Sequence, residues 1–369
     1  MRACVLEAYG EPLAVTSVPE PTNTANGVVL DVEACGICRS DWHAWQGHGE
    51  WANDQVPLGQ ILGHEPVGRV LEVGAHVETL EPDDRVAVPF SLGDGTCQAC
   101  RRGHGNVCLE GYGLGFESRL PGAFAQRLQV PHADFNLTKV PEDIPTSAVA
   151  ALGCRYTTAF HALTGRVTIQ DNDWVVVHGC GGLGVAAVQI ATALGARVLA
   201  VDVREPALEL ASRLGAEAVI DASGLEPATG PTSGSETNGE TVPAAVRSTT
   251  DGGAHVSIDA LGRAETCRNS LGSLRPRGTH VQLGLTTSAE KGMIPIPVDE
   301  LTRWERSFVG SRGMPPSRYG ELLALIDAGT LDPSAVVTAE VGLEDVSDRL
   351  AAMTTYDTDG IEVVTDFSA

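Results

Sequence analysis

The chain has 369 residues, 43 % of them hydrophobic, with 42 glycines and 21 prolines. That is too long for one ordinary core, so two domains are expected, and the turn-forming content suits a strand-rich α/β architecture over a helical bundle. Forty-eight acidic residues against 25 basic ones give a formal charge of −23, which argues against nucleic acid and anionic membrane as partners.

At the N-terminus, Met1-Arg2-Ala3-Cys4 opens no apolar run of the kind a signal peptide carries. The chain then reads as short strands cut by Gly and Pro, at 28–33, 67–73, 85–88 and 123–130. Two metal-ligand clusters interrupt them. The run A-C-G-I-C-R-S-D-W-H holds Cys38, Arg39, Ser40, Asp41 and His43, and is followed by G-H-E at Gly63, His64 and Glu65. A second run, D-x2-C-x2-C-x7-C, goes from Asp94 through Cys97 and Cys100 to Cys108. Nine cysteines is an odd number, and these spacings point to metal ligation in a reducing compartment, hence a cytoplasmic protein, over a disulfide framework.

The character changes after Leu152, where G-C-R-Y supplies Cys154. A strand at 174–178, a glycine turn, a helix at 185–194 and a strand at 197–201 follow in the order of a βαβ unit, continued by a helix at 205–214 and a strand at 218–220. Polar residues and glycines break the apolar stretch 174–201, so it reads as a buried strand and helix and not as a membrane span. The turn itself is Gly179-Cys180-Gly181-Gly182-Leu183-Gly184, a G-x-G-x-x-G between strand and helix, which is the context a dinucleotide site requires. Gly179 permits the tight turn, Gly181 lets backbone approach a pyrophosphate, and Gly184 lets the helix pack closely. The anion would sit on the helix N-terminus.

Asp202 ends the second strand, placed to accept from adenosine ribose hydroxyls and to repel a 2′-phosphate. NAD is therefore favoured over NADP, although Arg204 and Arg39 could pair with a phosphate. Residues 224–242, rich in Gly, Ser, Thr, Pro and Glu, read as a surface insertion. Strands at 256–260, 278–284 and 309–312 resume the alternation. A helix at 319–328 and a last strand at 361–364 read as a return to the first domain.

The Cys38 to His43 run, G-H-E, and A-L-G-C-R-Y-T-T-A-F-H around Cys154 together resemble the zinc-dependent alcohol dehydrogenases of the medium-chain dehydrogenase/reductase superfamily, over nearly the whole chain. The resemblance implies an α/β fold. A GroES-like β-rich catalytic domain (1–153 and 306–369) would surround a Rossmann domain with a doubly wound parallel sheet (154–305), with the active site in the cleft between them. It implies Cys38, His64 and Cys154 as zinc ligands with one position left open. The charge of such a zinc makes an alcohol beside it far more acidic.

By the same resemblance Ser40 and His43 relay the released proton through ribose hydroxyls to solvent, and Asp41 orients His64. Glu65 would be the carboxylate that approaches the metal when the open position exchanges, and Arg39 would contact the pyrophosphate. A C-terminal arginine that serves the same phosphate in many relatives falls here at Ile361. The loops 259–262 and 284–286 resemble those flanking the nicotinamide. The family's second zinc takes four cysteines, and here Asp94 stands at the first position. A site of one carboxylate and three thiolates is implied, weaker and more pH-tolerant than four thiolates; the other reading is a metal-free lobe with three free thiols.

The implied function is reversible hydride transfer between a small-molecule alcohol and NAD. Polyol, sugar or threonine dehydrogenases share these motifs, because substrate choice lives in pocket residues such as Trp42, Phe90 and Met314. A zinc-free quinone reductase would not keep the three ligands, and a non-catalytic NAD-sensing protein would not need Ser40 and His43. The family forms homodimers and homotetramers by strand addition at the edge of the cofactor domain. The charge of −23, with Lys139 and Lys291 the only lysines, adds the expectation of a salt-adapted, halophilic source, since screening lengths fall to about 3 Å at about 1 M salt.

Overall fold

The computed structural model describes residues 1–49, 55–226 and 240–368. They form two compact units, Met1–Thr157 with Gly313–Ala369, and Thr158–Arg312. Cys154 therefore lies in the first unit, whereas a sequence boundary at 153/154 assigns it to the second.

The first unit is organised by the strand Val28–Ile37, which is buried at nearly every position. Glu65–Val73 pairs with it antiparallel and sets Gly36 against Glu65, while the C-terminal strand Ile361–Asp366 pairs on its other side and sets Val364 against Cys35. Arg85–Ala87 and Thr138–Lys139 extend the sheet beyond Glu65–Val73, and Val337–Gly342 extends it beyond Ile361–Asp366. The strand predicted at 361–364 thus returns to the first unit's sheet. A core of Leu30, Ile37, Leu62, Leu114 and Phe124, each fully buried, packs beneath. The chain leaves Val28–Ile37 directly into the short helix Arg39–Trp45, so Cys38 sits at a strand-to-helix junction.

The second unit is a parallel sheet in the order Ala218–Asp221, Arg197–Asp202, Trp174–His178, Ala254–Asp259, Leu274–Gln282, Ser307–Gly310. Val175, Val176 and Val177 are fully buried, as strands covered on both faces must be. The strand order reverses direction on either side of Trp174–His178, and it is outside the carboxyl ends of strands at such a point that doubly wound folds bind ligands. Gly179 turns the chain there at φ +89°, and a Cβ on Gly184 would stand 1.9 Å from the Gly179 carbonyl. The helix Gly182–Ala193 can start this close to the strand only with glycine at 184.

Most of the insertion read at 224–242 lies outside the described residues. Its end is helical instead: Thr241 accepts from the Ala244 amide at 3.3 Å and caps Val242–Thr249, with Pro243 in the first turn. No helix among the described residues is long and apolar enough to cross a membrane.

Candidate functional site

Cys38, His64, Glu65 and Cys154 come together in the first unit, each offering a donor atom within 4.8 Å of the others. Three segments deliver them: the junction after Val28–Ile37, the start of Glu65–Val73, and a π-helical turn over Leu152–Tyr156. Such turns recur at functional sites because the extra residue re-aims a side chain. Asp41 is fully buried and ties two of these segments. Its carboxylate accepts from the Cys38 amide at 3.0 Å and the Gly63 amide at 3.0 Å, and lies 2.8 Å from His64 Nδ1.

That last contact fixes the histidine. With Nδ1 held by Asp41, Nε2 is the ring nitrogen left for another partner, and it is buried with no hydrogen-bond partner. Two thiols and an unpaired imidazole nitrogen are the donor set of a three-ligand zinc site, and a metal would satisfy the nitrogen that the protein leaves bare. Electrostatics agree. Hydrogen bonding from Cys154, reinforced by Arg155 and His64, holds the Cys38 thiol well below the ordinary range, while the same pairing and burial push Cys154 up. Burial opposes charge on His64, yet Asp41 and Cys38 raise it well above an ordinary imidazole.

Glu65 is fully buried and bound on all sides. Its carboxylate meets Arg155 Nη2 at 2.5 Å and Nε at 3.2 Å, and accepts from the Cys154 and Arg155 amides at 3.1 Å each. Burial pushes the carboxyl up and Arg155 offsets part of it. Gly36 and Gly153 make the room: a Cβ at 36 would stand 2.3 Å from Glu65 Oε2, and one at 153 would stand 2.5 Å from Glu65 Cα. Arg155 was not singled out from sequence, although a buried carboxylate beside two thiols calls for a cation. Phe116 was also missed; its ring stands 4.9 Å from His64, with Phe90 edge-on at 5.9 Å.

Ser40 Oγ lies 3.9 Å from Cys38 Sγ on the helix Arg39–Trp45. His43, one turn on, places Nδ1 3.1 Å from Nδ1 of His48, a residue that sequence reasoning passed over. The Arg39 guanidinium lies between the rings of Trp42 and Tyr356, at 4.0 and 4.1 Å, and donates to the Met353 carbonyl. Ile361 is buried within its strand.

Asp94, Cys97, Cys100 and Cys108 form a second group of donors within 4.8 Å of one another. Asp94 Oδ1 accepts from the Thr96 and Cys97 amides at 2.9 and 3.0 Å, and Thr96 Oγ1 donates to Oδ2 at 2.7 Å. The Cys97 amide, with the Thr96 hydroxyl and amide, holds the carboxyl far below its usual range. Cys108 Sγ approaches Oδ1 to 3.4 Å and Cys97 Sγ to 3.5 Å. A carboxylate oxygen and three sulfurs at this spacing fit a closed zinc site.

In the second unit, Gly181 caps the helix Gly182–Ala193, and a Cβ on it would meet nothing within 4 Å. Open space over a helix N-terminus that begins at Gly182, Leu183 and Gly184 suits an anion. Asp202 Oδ2 accepts from the Cys180 amide at 2.6 Å, and Oδ1 from the Val203 and Arg204 amides at 2.8 and 3.0 Å. Its carboxylate is thereby fixed at the strand end, with one acceptor site left. Buried Asp259 joins the other loops: Oδ1 accepts from Leu261 and Gly262 amides, and Oδ2 from Gln282 Nε2 at 2.9 Å.

Two family models match the chain: the alcohol dehydrogenase GroES-like domain over residues 24–142, and the zinc-binding dehydrogenase family over residues 182–328. An NAD-dependent alcohol dehydrogenase of Sulfurisphaera tokodaii is 32 % identical, with 99 % of each chain covered. An alcohol dehydrogenase of Geobacillus stearothermophilus is 30 % identical over 95 % of this chain and 96 % of its own. Among solved structures, the alcohol dehydrogenase of Thermus sp. ATN1 superposes with a TM-score of 0.85 at 29 % identity, covering 99 % of this chain and 100 % of that one.

The buried pair yields a stability prediction. Arg155→Met strands the Glu65 carboxylate and is expected to cost about 3–5 kcal/mol in urea unfolding, most of it recovered by adding Glu65→Gln. Equal stability of the wild type and the single variant would show that Arg155 does not neutralise Glu65.

Proposed function

The chain belongs to the zinc-binding alcohol dehydrogenases of the medium-chain dehydrogenase/reductase superfamily, and from that premise we propose how its own residues carry the reaction. The function is reversible hydride transfer between an alcohol and NAD, giving an aldehyde or ketone. The unit Thr158–Arg312 binds the cofactor, and the unit built on Val28–Ile37 carries the metal centre. The observation that carries the reading is the bare His64 Nε2 among two thiols.

Cys38, Cys154 and His64 Nε2 would hold a zinc, with Asp41 holding the imidazole so that Nε2 faces it. When bound, zinc would supply the positive charge that acidifies the substrate hydroxyl, and NAD would supply the two-electron acceptor that balances the oxidation. Ser40 Oγ would receive the hydroxyl proton, and His43 would take it onward toward solvent. Arg155 holds Glu65 off the metal position until exchange requires it. Asp94, Cys97, Cys100 and Cys108 would hold a second zinc, which would supply a closed staple for their lobe. Gly181 and the amides that follow receive the pyrophosphate, and Asp202 receives the ribose and disfavours a 2′-phosphate. Arg39, held between two rings, contributes to the first unit's packing, and its contact with the pyrophosphate would require it to leave them.

Self-association is supported by the edge strand Ser307–Gly310, where Phe308 is 41 % exposed, with Leu285 and Met293 also exposed in the same unit. A dimer or tetramer is expected in solution, and Phe308→Arg should shift it toward single chains. A wild-type mass of one chain by light scattering would exclude the interface.

The function is tested by assaying a panel of alcohols and aldehydes with NAD and NADP at low and about molar salt, beside metal analysis. Wild type should hold two zincs per chain, favour NAD, and gain rate and unfolding midpoint with salt. Cys38→Ser and His64→Ala should each lose one zinc and all turnover, and Asp94→Ala should lose the other zinc. Full turnover by zinc-depleted Cys38→Ser refutes the mechanism.

A further inference from the structure

We propose that His48 takes the proton leaving His43 and passes it to solvent, so that proton release runs through a pair of imidazoles. The inference rests on the reading of His43 as the relay histidine, and adds a residue to it.

The contact is built by the local chain path. The helix Arg39–Trp45 ends two residues after His43, and Gly47 then bends the backbone at φ +71°. A Cβ at position 47 would stand 2.9 Å from the Tyr9 ring, so the bend is made for glycine. The turn brings the His48 amide back to donate to the His43 carbonyl at 2.9 Å, and brings the rings together with Nδ1 to Nδ1 at 3.1 Å. Trp42 packs edge-on against both rings, with centroids at 4.9 Å from His43 and 5.3 Å from His48. Backbone and indole therefore hold the two imidazoles in register.

Two ring nitrogens at that distance need one proton between them. One ring must carry Nδ1–H and the other a free Nδ1 lone pair, so the rings are complementary tautomers and cannot both be doubly protonated. The charged groups facing the pair are Arg39 on the same helix, which opposes protonation of both rings, and Cys38, which weakly favours it at His43. Burial first, then Arg39, holds His43 down to about 4, and His48 is lowered for the same reasons. Near neutral pH both rings are thus neutral, the state in which such a pair conducts. A proton arriving at His43 Nε2 lets the Nδ1–H cross to His48 Nδ1, and the Nε2–H of His48 leaves to water. One proton enters and one leaves, with no redox change. The tautomers are then exchanged; they are restored between turnovers when water protonates His48 Nε2, the Nδ1–H returns to His43 Nδ1, and His43 Nε2–H passes to water once the cofactor has left.

The test uses the zinc-loaded full chain and alcohol oxidation from about pH 6 to about pH 10. His48→Asn keeps a polar atom near the Nδ1 position but cannot pass a proton, and His48→Ala opens a space. Both should slow oxidation about tenfold or more at the acid end, with the loss shrinking as hydroxide becomes available, and with zinc content and KM for NAD unchanged. A hindered amine buffer that does not ligate zinc should restore His48→Ala. A wild-type pH profile in His48→Asn, or a loss constant in pH and not restored by buffer, overturns the proposal. His43→Gln separates the levels. If it is as fast as wild type, the relay reading fails and this inference with it; if it is slow while both His48 variants match wild type, only this inference fails.

Discussion

The interaction on which the site depends is the one between Asp41 and His64. A carboxylate buried among apolar residues is expensive unless every lone pair finds a donor, and Asp41 finds three: the Cys38 amide, the Gly63 amide and the His64 ring. The same three contacts close the N-terminal turn of the helix Arg39–Trp45, hold the backbone before Glu65–Val73, and choose the imidazole tautomer. One side chain thus sets the position of a thiol, the position of a histidine and which nitrogen that histidine presents.

Charge decides what such a centre can hold. Among the described residues, two thiols and the carboxyls of Asp41 and Glu65 face one permanent cation, Arg155, in a region closed to solvent. Without further positive charge, protons must compensate, which is why Cys154 and His64 are both driven upward. A divalent cation held by Cys38, Cys154 and His64 Nε2 would remove that need. The Asp94 lobe follows the same logic with backbone amides in place of Arg155, since they keep its carboxylate ionised beside three sulfurs.

Much of this was legible in the sequence because ligand spacing, the glycine fingerprint and the βαβ order are local patterns. The parallel sheet and the return of 361–364 to the first sheet follow from them, and the resemblance that these motifs carry named Cys38, His64 and Cys154, which the fold brings together. What was not legible depends on distant or three-dimensional partners. Arg155 was in plain view beside Cys154, but that its guanidinium meets Glu65, 90 positions earlier, is a matter of fold. The partner that places Arg39 is the Met353 carbonyl, 314 positions away, so motif position alone suggested a phosphate contact and not a stack between two rings. His48 comes back onto His43 only because Gly47 takes a positive φ, which composition does not announce. The helix after Thr241 was hidden by the polar run before it, although Thr241 followed by Pro243 is a start signal.

The central claim is that Cys38, His64 and Cys154 form a zinc site whose histidine is set by Asp41. Diffraction from crystals of the purified protein, collected on both sides of the zinc absorption edge, tests it most directly. An anomalous peak about 2.3 Å from the Cys38 and Cys154 sulfurs and about 2.0–2.1 Å from His64 Nε2, with Nδ1 still on Asp41, is the expected result. No zinc peak among those three atoms, or a zinc there with His64 turned away from it, would contradict it.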